Sequence, residues 1–598
     1  MARPAASRRP FVLSATVDFP DDVNNGVYTP ELVDVMLGRL KRMGVTRVYW
    51  NYYGDTDPDS YWAGRIFDRV SYGRETLRRI GEPVKAATLI AHKRGIELFA
   101  VIKPFDLGGP AITPEGSPEF DPSKPIHIGG NVVPGYTLIE KHPQLRAKRR
   151  PYDSPPNLQT TPIRRIRLLK SDASPTRVRN ENLEIWTSPR NYRYEIRKVT
   201  FELKESVEPA RQEVRDEFGT LVTAAGSPVR TLSLEGLNLT DKYIIVTTNF
   251  HDGAPDFANT AVVMVEAYGD GPDPFPIEVA TRRAFKDAPR DFRTHGLEFD
   301  AGLGHCFGAL DADNLDVTRG SPFESGVAHD GVIGFARGKN EYLTAVPCEA
   351  YPEVQRLWSG CLDRVIAAGV DGVDFRLSSH GSCANAPLEY GFNDPVVKDY
   401  RRRYGSDVYG PEFDAGKFAR MRGETFTTFL RAASARLRGA GKKVQVHVHP
   451  EAYTDNPAQV NLVWMPPNIF FDWRSWLQEG LLDGISMRNE RYADNPPGGS
   501  AFKTRLENVL AHPVVPDVLS QAAEAGVPVY MVRRVVRALS SEEYTNDLEA
   551  IYNNPLFSGF DVYEVKNIAK PAPDGSALIP VEDRMECIEA KARELGLA

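Results

Sequence analysis

The sequence predicts a (β/α)8 barrel carrying an all-β, jelly-roll-like sandwich domain inserted after the third barrel strand. Three observations predict it. A helix that ends in glycine and feeds a short apolar strand recurs at Gly44, Gly95, Gly369, Gly441, Gly480 and Gly526. Together with the strands that open and close the chain, the strands number eight, the count of a closed parallel barrel rather than of a doubly wound sheet. The rhythm breaks once, between residues 107 and 345, where short alternating runs replace it.

The elements follow in order. Phe11 to Phe19 reads as strand one. Thr29 to Gly44 is an amphipathic helix with Thr29 as N-cap, Pro30 at its first position and Gly44 as stop. Val45 to Asp55, rich in β-branched and aromatic residues, is strand two. A helix over 76–95 feeds strand three, Ile96 to Asp106. After the gap, the helix Tyr351 to Gly369 feeds strand four at Val370 to Leu377. The helix Gly423 to Gly441 feeds strand five at Lys442 to His449, and Trp473 to Gly480 feeds strand six at Leu481 to Glu490. Helices Pro516 to Gly526 and Ser541 to Asn553 feed strands seven (Val527 to Arg533) and eight (Phe557 to Val565), and a helix over Val581 to Gly596 ends the chain.

The barrel is thus expected from residues 10–106 and 346–598, and the insertion from 107–345. Within the insertion, runs such as IRRIRLL, YRYEIRKVTFELK and KYIIVTT alternate between turn-rich pieces, which places a β-sandwich core at about 160–270. Its flanks are dense in Gly, Pro and Asp. An insertion after strand three leaves from the C-terminal end of the barrel, the end where this fold places its chemistry.

Bulk properties narrow the function. The chain has 598 residues and a formal net charge of −7, which argues against a nucleic-acid or anionic-membrane partner. The basic run Arg146, Lys148, Arg149 and Arg150, continued by Arg164, Arg165, Arg167 and Lys170, reads as a solvated edge near a domain junction. The five cysteines show no CxxC spacing, no apolar run is long enough to span a membrane, and the first residues lack the apolar core of a secretory leader. A cytoplasmic enzyme without a cofactor is expected, and self-association is left open.

Side chains alternate along a strand, so polar residues out of phase with the apolar set point into the barrel. On strand four Val373, Phe375 and Leu377 face the helices, leaving Asp374 and Arg376 inward, with His380 just beyond. On strand five Gln445, His447 and His449 face inward and Glu451 follows in phase. On strand six Ser486, Arg488 and Glu490 face inward. On strand eight Phe560 and Val562 blur the phase, and the end carries Tyr563, Glu564 and Lys566. Strand one offers Asp18, strand two Tyr49, Asn51 and Tyr53, and strand three Lys103 and Asp106. Carboxylates, guanidiniums, imidazoles and aromatics at one mouth suit a sugar, whose hydroxyls take bidentate bonds and whose flat faces stack on rings.

The segments VNNGVYTPELVDVMLGRLKRMGVTRVYWNYYGD, AGVDGVDFRLSSH and LLDGISMRNE resemble the glycosyl-hydrolase-like TIM-barrel proteins, relatives of the α-amylase-type glycosidases, over roughly residues 10–106 and 350–595. In amylase-type families strand four commonly ends in DG-x-R-x-D, whose last Asp is the nucleophile. Here Asp371 and Gly372 match its start, while Asp374 stands at the arginine position and Arg376 at the nucleophile position. The resemblance therefore makes Asp374 the nearest counterpart of the nucleophile. IRRIRLLKSD and LEIWTSPRNYRYEI are similar to jelly-roll modules often attached to glycosidases.

The reading that follows is a glycoside hydrolase of carbohydrate metabolism, acting on a short oligosaccharide or glycoside. Asp374 is expected as nucleophile or base, Glu490 as acid and Glu451 as its substitute. Arg376, His447, His449, Arg488, Asn51, Tyr49, Lys103, Asp18, His380 and Glu564 are expected to hold the substrate. Two alternatives remain: a metal-dependent barrel hydrolase or lyase built on His447 and His449, and a non-catalytic carbohydrate-binding protein.

Overall fold

The computed structural model describes residues 11–23, 25–52, 72–107, 109–112, 127–132, 138–191, 193–215, 221–250, 256–257, 264–279, 333–378, 387–448, 465–488, 506–535 and 539–598. Eight parallel strands close into a barrel in chain order: Val12–Val17, Arg47–Tyr52, Glu97–Ile102, Gly372–Arg376, Lys443–Val448, Gly484–Met487, Val529–Arg534 and Gly559–Tyr563. Strand eight closes on strand one, with Gly559 opposite Val12 and Tyr563 opposite Thr16.

Alternation decides which side chain goes where. Leu13, Ala15, Val17, Val48, Trp50, Leu98 and Ala100 join Val373, Phe375, Val444, Val446, Ile485, Met487, Phe560 and Val562 in the main core beneath the helices. The opposite phase fills the interior with Tyr49, Phe99 and Val101 and with buried polar groups. The even spacing that blurred strand eight resolves the same way: Phe560 and Val562 pack outward, so Asp561 and Tyr563 lie in the interior phase.

The helices start where caps dictate. Thr29 accepts from the Leu32 N–H at 3.1 Å and Pro30 opens the helix Pro30–Arg42. The helix expected over 76–95 is two helices, Gly73–Ile80 and Pro83–Lys93. Gly81 breaks it with a φ of 71°, and Glu82 then caps the second helix ahead of Pro83. The helix expected from Gly423 begins earlier, as Ala415–Gly439, because Asp414 caps Lys417 N–H at 2.9 Å. A further helix, Asp394–Tyr404, and a hairpin of Ala569–Pro571 with Leu578–Pro580 decorate the barrel. No helix among the described residues is long and apolar enough to cross a membrane.

Between strands three and four lies the insertion, whose described residues form mainly antiparallel sheets with one short α-helix, Leu138–Lys141. One antiparallel sheet orders Glu202–Pro209, Pro228–Leu239, Ile163–Leu169 and Val265–Tyr268. A second orders Ile277–Val279, Ile333–Arg337, Tyr243–Thr248, Leu183–Ser188 and Glu195–Ile196. They share a core of their own, including Ile166, Leu168, Leu232, Leu234, Ile244, Val246 and Phe335. The second sheet therefore takes in strands downstream of the 160–270 stretch. In the upstream flank Gly109–Ile112 pairs with His127–Val132.

The basic run is a solvated edge only in part: Arg146, Lys148, Arg150, Arg164, Arg165 and Lys170 are partly exposed, while Arg149 and Arg167 are buried. Arg149 is 3% exposed, its guanidinium over the ring of Tyr390 at 4.5 Å, and it pairs with Glu278 at 2.6 Å and with Glu389. Arg167 pairs with Glu266 at 2.6 Å and with Glu208. Buried guanidiniums with carboxylate partners brace the insertion instead of facing water. A second brace lies just downstream, where the chain returns to the barrel. Arg422 makes a two-pronged contact with Glu349, at 2.6 and 2.7 Å, and donates to the Pro467 carbonyl at 2.7 Å.

Candidate functional site

The N-terminal end of the barrel is plugged. Arg47 lies over the rings of Phe99 (4.3 Å) and Tyr530 (5.0 Å) and bonds to Glu97 at 2.7 Å. Phe99 fills the space beside Gly372, where a Cβ would come within 2.4 Å of its ring. Above the plug, Gln445 donates to the Tyr49 hydroxyl at 2.8 Å and to Ser486. Tyr49 is therefore an interior strut, not a group at the mouth.

Asp374 sits above this layer, 1% exposed. One of its oxygens lies 3.7 Å from Arg376 Nε and 3.7 Å from His447 Nδ1, and neither oxygen has a hydrogen bond of ordinary length. Burial pushes its carboxyl up to about 6, against the opposing charge of Arg376. Strands four and five bring the three residues together because Arg376 pairs in register with His447 and Asp374 with Gln445.

Asp561 is a second buried carboxyl, also raised to about 6 by burial, with Thr16 and Arg376 pulling it down. Thr16 donates to it at 2.7 Å and accepts from Arg376 Nη2 at 3.0 Å, so strands eight and one hold the guanidinium that strand four supplies. The ring of Tyr563 lies 5.0 Å from the Arg376 guanidinium carbon and 4.1 Å from that of Arg488.

Glu564 follows at the end of strand eight, paired with Lys566 at 3.2 Å, and both are buried. Burial works to raise its carboxyl. The ammonium of Lys566 and the guanidiniums of Arg534 and Arg488 outweigh that effect and hold it well below the usual carboxylate range. Asp18, also buried, adds its negative charge to the surroundings of Arg376 and Tyr563.

The structure thus brings Asp374, Arg376 and His447 together, and groups Arg488, Tyr563 and Glu564 beside them. Lys103 is instead 3.5 Å from Asp106, both buried, at the end of strand three. Asn51 is buried on strand two, in register with Val101 of strand three. Glu490, Glu451, His449 and His380 lie outside the described residues. Sequence reasoning passed over Asp561, Thr16 and the interior place of Tyr563. The signal was present: once Phe560 and Val562 are taken as the outward pair, Gly559, Asp561 and Tyr563 fall inward. Among the described residues no three or more His, Cys, Asp or Glu side chains cluster as a metal site.

The raised carboxyls couple folding to pH. Asp374 and Asp561 hold protons more tightly folded than unfolded, where aspartate titrates near 3.9. Their contribution is complete below about pH 4 and is lost as pH rises through about 6. The melting temperature of the wild type is therefore expected to fall relative to that of Asp561→Asn across this window. Thermal melts of both proteins from pH 4 to 7 check it, and a difference that stays constant with pH contradicts it.

No family model matches the chain, and no curated protein sequence does. Solved structures with a similar course include the catalytic domain of a β-amylase from Paenibacillus polymyxa, 8% identical, covering 98% of both chains with a TM-score of 0.37. The PgaB (BpsB) glycoside hydrolase domain from Bordetella bronchiseptica is 11% identical over 38% of this chain and 61% of its own, with a TM-score of 0.26. A GH18 chitinase from Pseudoalteromonas aurantia is 12% identical over 40% of this chain and 71% of its own, with a TM-score of 0.21. All three neighbours are glycoside hydrolases.

Proposed function

We propose that the chain is a glycoside hydrolase acting on a short oligosaccharide or glycoside. One observation carries this reading: two buried carboxyls, Asp374 on strand four and Glu564 just past the end of strand eight, are driven in opposite directions by their surroundings. Asp374 is raised to about 6, and Glu564 is held ionised by Lys566, Arg534 and Arg488. Carboxyls whose environments separate their protonation are what acid and base roles at one sugar carbon require.

In this reading Asp374 delivers a proton to the leaving glycosidic oxygen as the C1–O bond breaks. Glu564 stays anionic and meets the positive charge that develops on the ring, as nucleophile or as base toward water. Arg376, Arg488 and His447 donate to substrate hydroxyls, and the Thr16–Asp561 pair keeps Arg376 aimed. This exchanges the role that the sequence suggests for Asp374 as nucleophile for that of the proton carrier, because its carboxyl is raised.

The sign of the pH dependence follows. Asp374 must be protonated and Glu564 ionised, so kcat/KM is expected to fall as pH rises through about 6, with the acid limb far lower. The profile should flatten on aryl glycosides with good leaving groups, which need little protonation. A panel of aryl glycosides and oligosaccharides assayed from pH 4 to 9 reads both effects. A rate that rises through the same window assigns Asp374 to the base role, and no turnover across the panel favours a non-catalytic carbohydrate-binding protein.

A second reading is a metal-dependent hydrolase or lyase using His447 and His449; His447 Nδ1 lies 3.7 Å from Asp374, whose same oxygen also faces Arg376 at 3.7 Å. Elemental analysis of the purified protein, with activity measured before and after chelation, separates the two.

A further inference from the structure

The inserted domain contains a cleft of about 600 Å3 lined by residues of both its sheets, a volume within the range of small-molecule sites. Its charged lining falls into two groups. In one, Arg167 pairs with Glu208 and with Glu266 at 2.6 Å, and Arg211 lies 3.7 Å from Glu266. In the other, Arg149 pairs with Glu389 and with Glu278 at 2.6 Å, and Lys339 lies 3.6 Å from Glu389. Pro274, Phe275 and Pro276 supply apolar surface.

Four cations therefore meet four carboxylates, and the lining has no net formal charge. A phosphate ester or a polycation entering it would meet as many like charges as opposite ones. A neutral ligand dense in hydroxyls meets the reverse situation. Each hydroxyl both donates and accepts, so it can bond to a carboxylate on one side and to a guanidinium on the other. Aromatic and proline surface covers the C–H faces of such a ligand.

We propose that this cleft binds a neutral oligosaccharide, as a carbohydrate site separate from the barrel mouth. Glu389 belongs to the segment that follows strand four, and Arg149 and Lys339 to the straps on either side of the sandwich. A bound glycan thus touches insertion and barrel segments together, and its binding tightens the junction between them. The inference goes beyond the catalytic reading and does not depend on it.

Isothermal titration of the full chain carrying Asp374→Asn tests it, with maltotriose, cellotriose, triacetylchitotriose and the acidic trigalacturonate as probes. At least one neutral trisaccharide is expected to bind. The pair Arg211→Ala and Glu208→Gln, whose side chains are 60% and 36% exposed, is expected to weaken that binding by about tenfold or more. The same pair in the wild-type chain should leave aryl-glycoside turnover unchanged, which separates the cleft from the mouth. The proposal is overturned if no neutral trisaccharide binds, if only trigalacturonate binds, or if the cleft pair leaves the neutral affinity unaltered. Turnover of aryl glycosides is measured independently, so failure of the catalytic reading is seen apart from failure of this one.

Discussion

Asp374→Asn is expected to fold like the wild type and to turn over glycosides about 10²–10⁴-fold more slowly, the range set by removing a positioned acid or base. The fold should survive because the carboxyl is already biased toward its neutral form: burial raises it to about 6, and an amide of the same shape does not titrate. Arg376 keeps its bond to Thr16 and its place over Tyr563. The loss should be smallest on substrates with good leaving groups, because they need the least protonation. Circular dichroism and thermal melts, with initial rates on two leaving groups, decide the matter. Wild-type turnover would remove Asp374 from the chemistry. A chain that fails to fold would make the Asp374–Arg376 contact a structural pair.

Arg422→Met is expected to lower stability by about 3–5 kcal/mol, the usual consequence of stranding one member of a buried ion pair. Glu349 is 0% exposed and Arg422 2% exposed, so the carboxylate left behind has no water to turn to. The Pro467 carbonyl loses its donor in the same step. Packing around the guanidinium is close enough to exclude repair by a shift: a Cβ on Gly391 would lie 1.9 Å from Arg422 Nη1, and one on the adjacent Gly423 1.9 Å from the Phe470 carbonyl oxygen. Replacing both partners with apolar residues, Glu349→Leu with Arg422→Met, should recover much of the loss. Urea denaturation of the single and double variants reads the difference, and a single variant within about 1 kcal/mol of the wild type would contradict the stranded-charge account.

Much of the barrel was legible because its signal is local. A glycine that stops a helix and an apolar run with period two lie within a few residues of each other, and Val373, Phe375, Val444 and Val446 all face as their spacing predicts. The same rule put Asp374, Arg376 and His447 inside. On strand eight Phe560 and Val562 blur the phase along the sequence, and only their packing beneath the helices shows that Asp561 points inward. The break at Gly81 was hidden inside an amphipathic pattern long enough for one helix. The burial of Arg149 is hidden for a different reason. Its partners Glu278 and Glu389 are 129 and 240 residues away, and no window along the chain shows that a cation will be met by carboxylates from so far off. Sequence shows which groups can titrate, and only the fold shows which of them share a site.

Strands three and four are neighbours in the barrel, Gly372 beside Phe99 and Phe375 beside Ile102, yet the whole insertion intervenes between them. Their pairing therefore closes a very long loop, and the entropy of that closure opposes it until the ends are brought near. The sandwich has a core of its own and can draw those ends together by folding first. The seam between strands three and four and the closing seam of strand eight on strand one are then the last parts of the barrel to zip, since the other six seams join strands much closer in sequence. Slow, non-local closure leaves the edges of strands three and four exposed while the chain waits, and an exposed edge is where another chain adds itself. Variants that weaken the sandwich core at Leu232 or Ile244 should raise aggregation during refolding more than they lower the stability of the finished barrel.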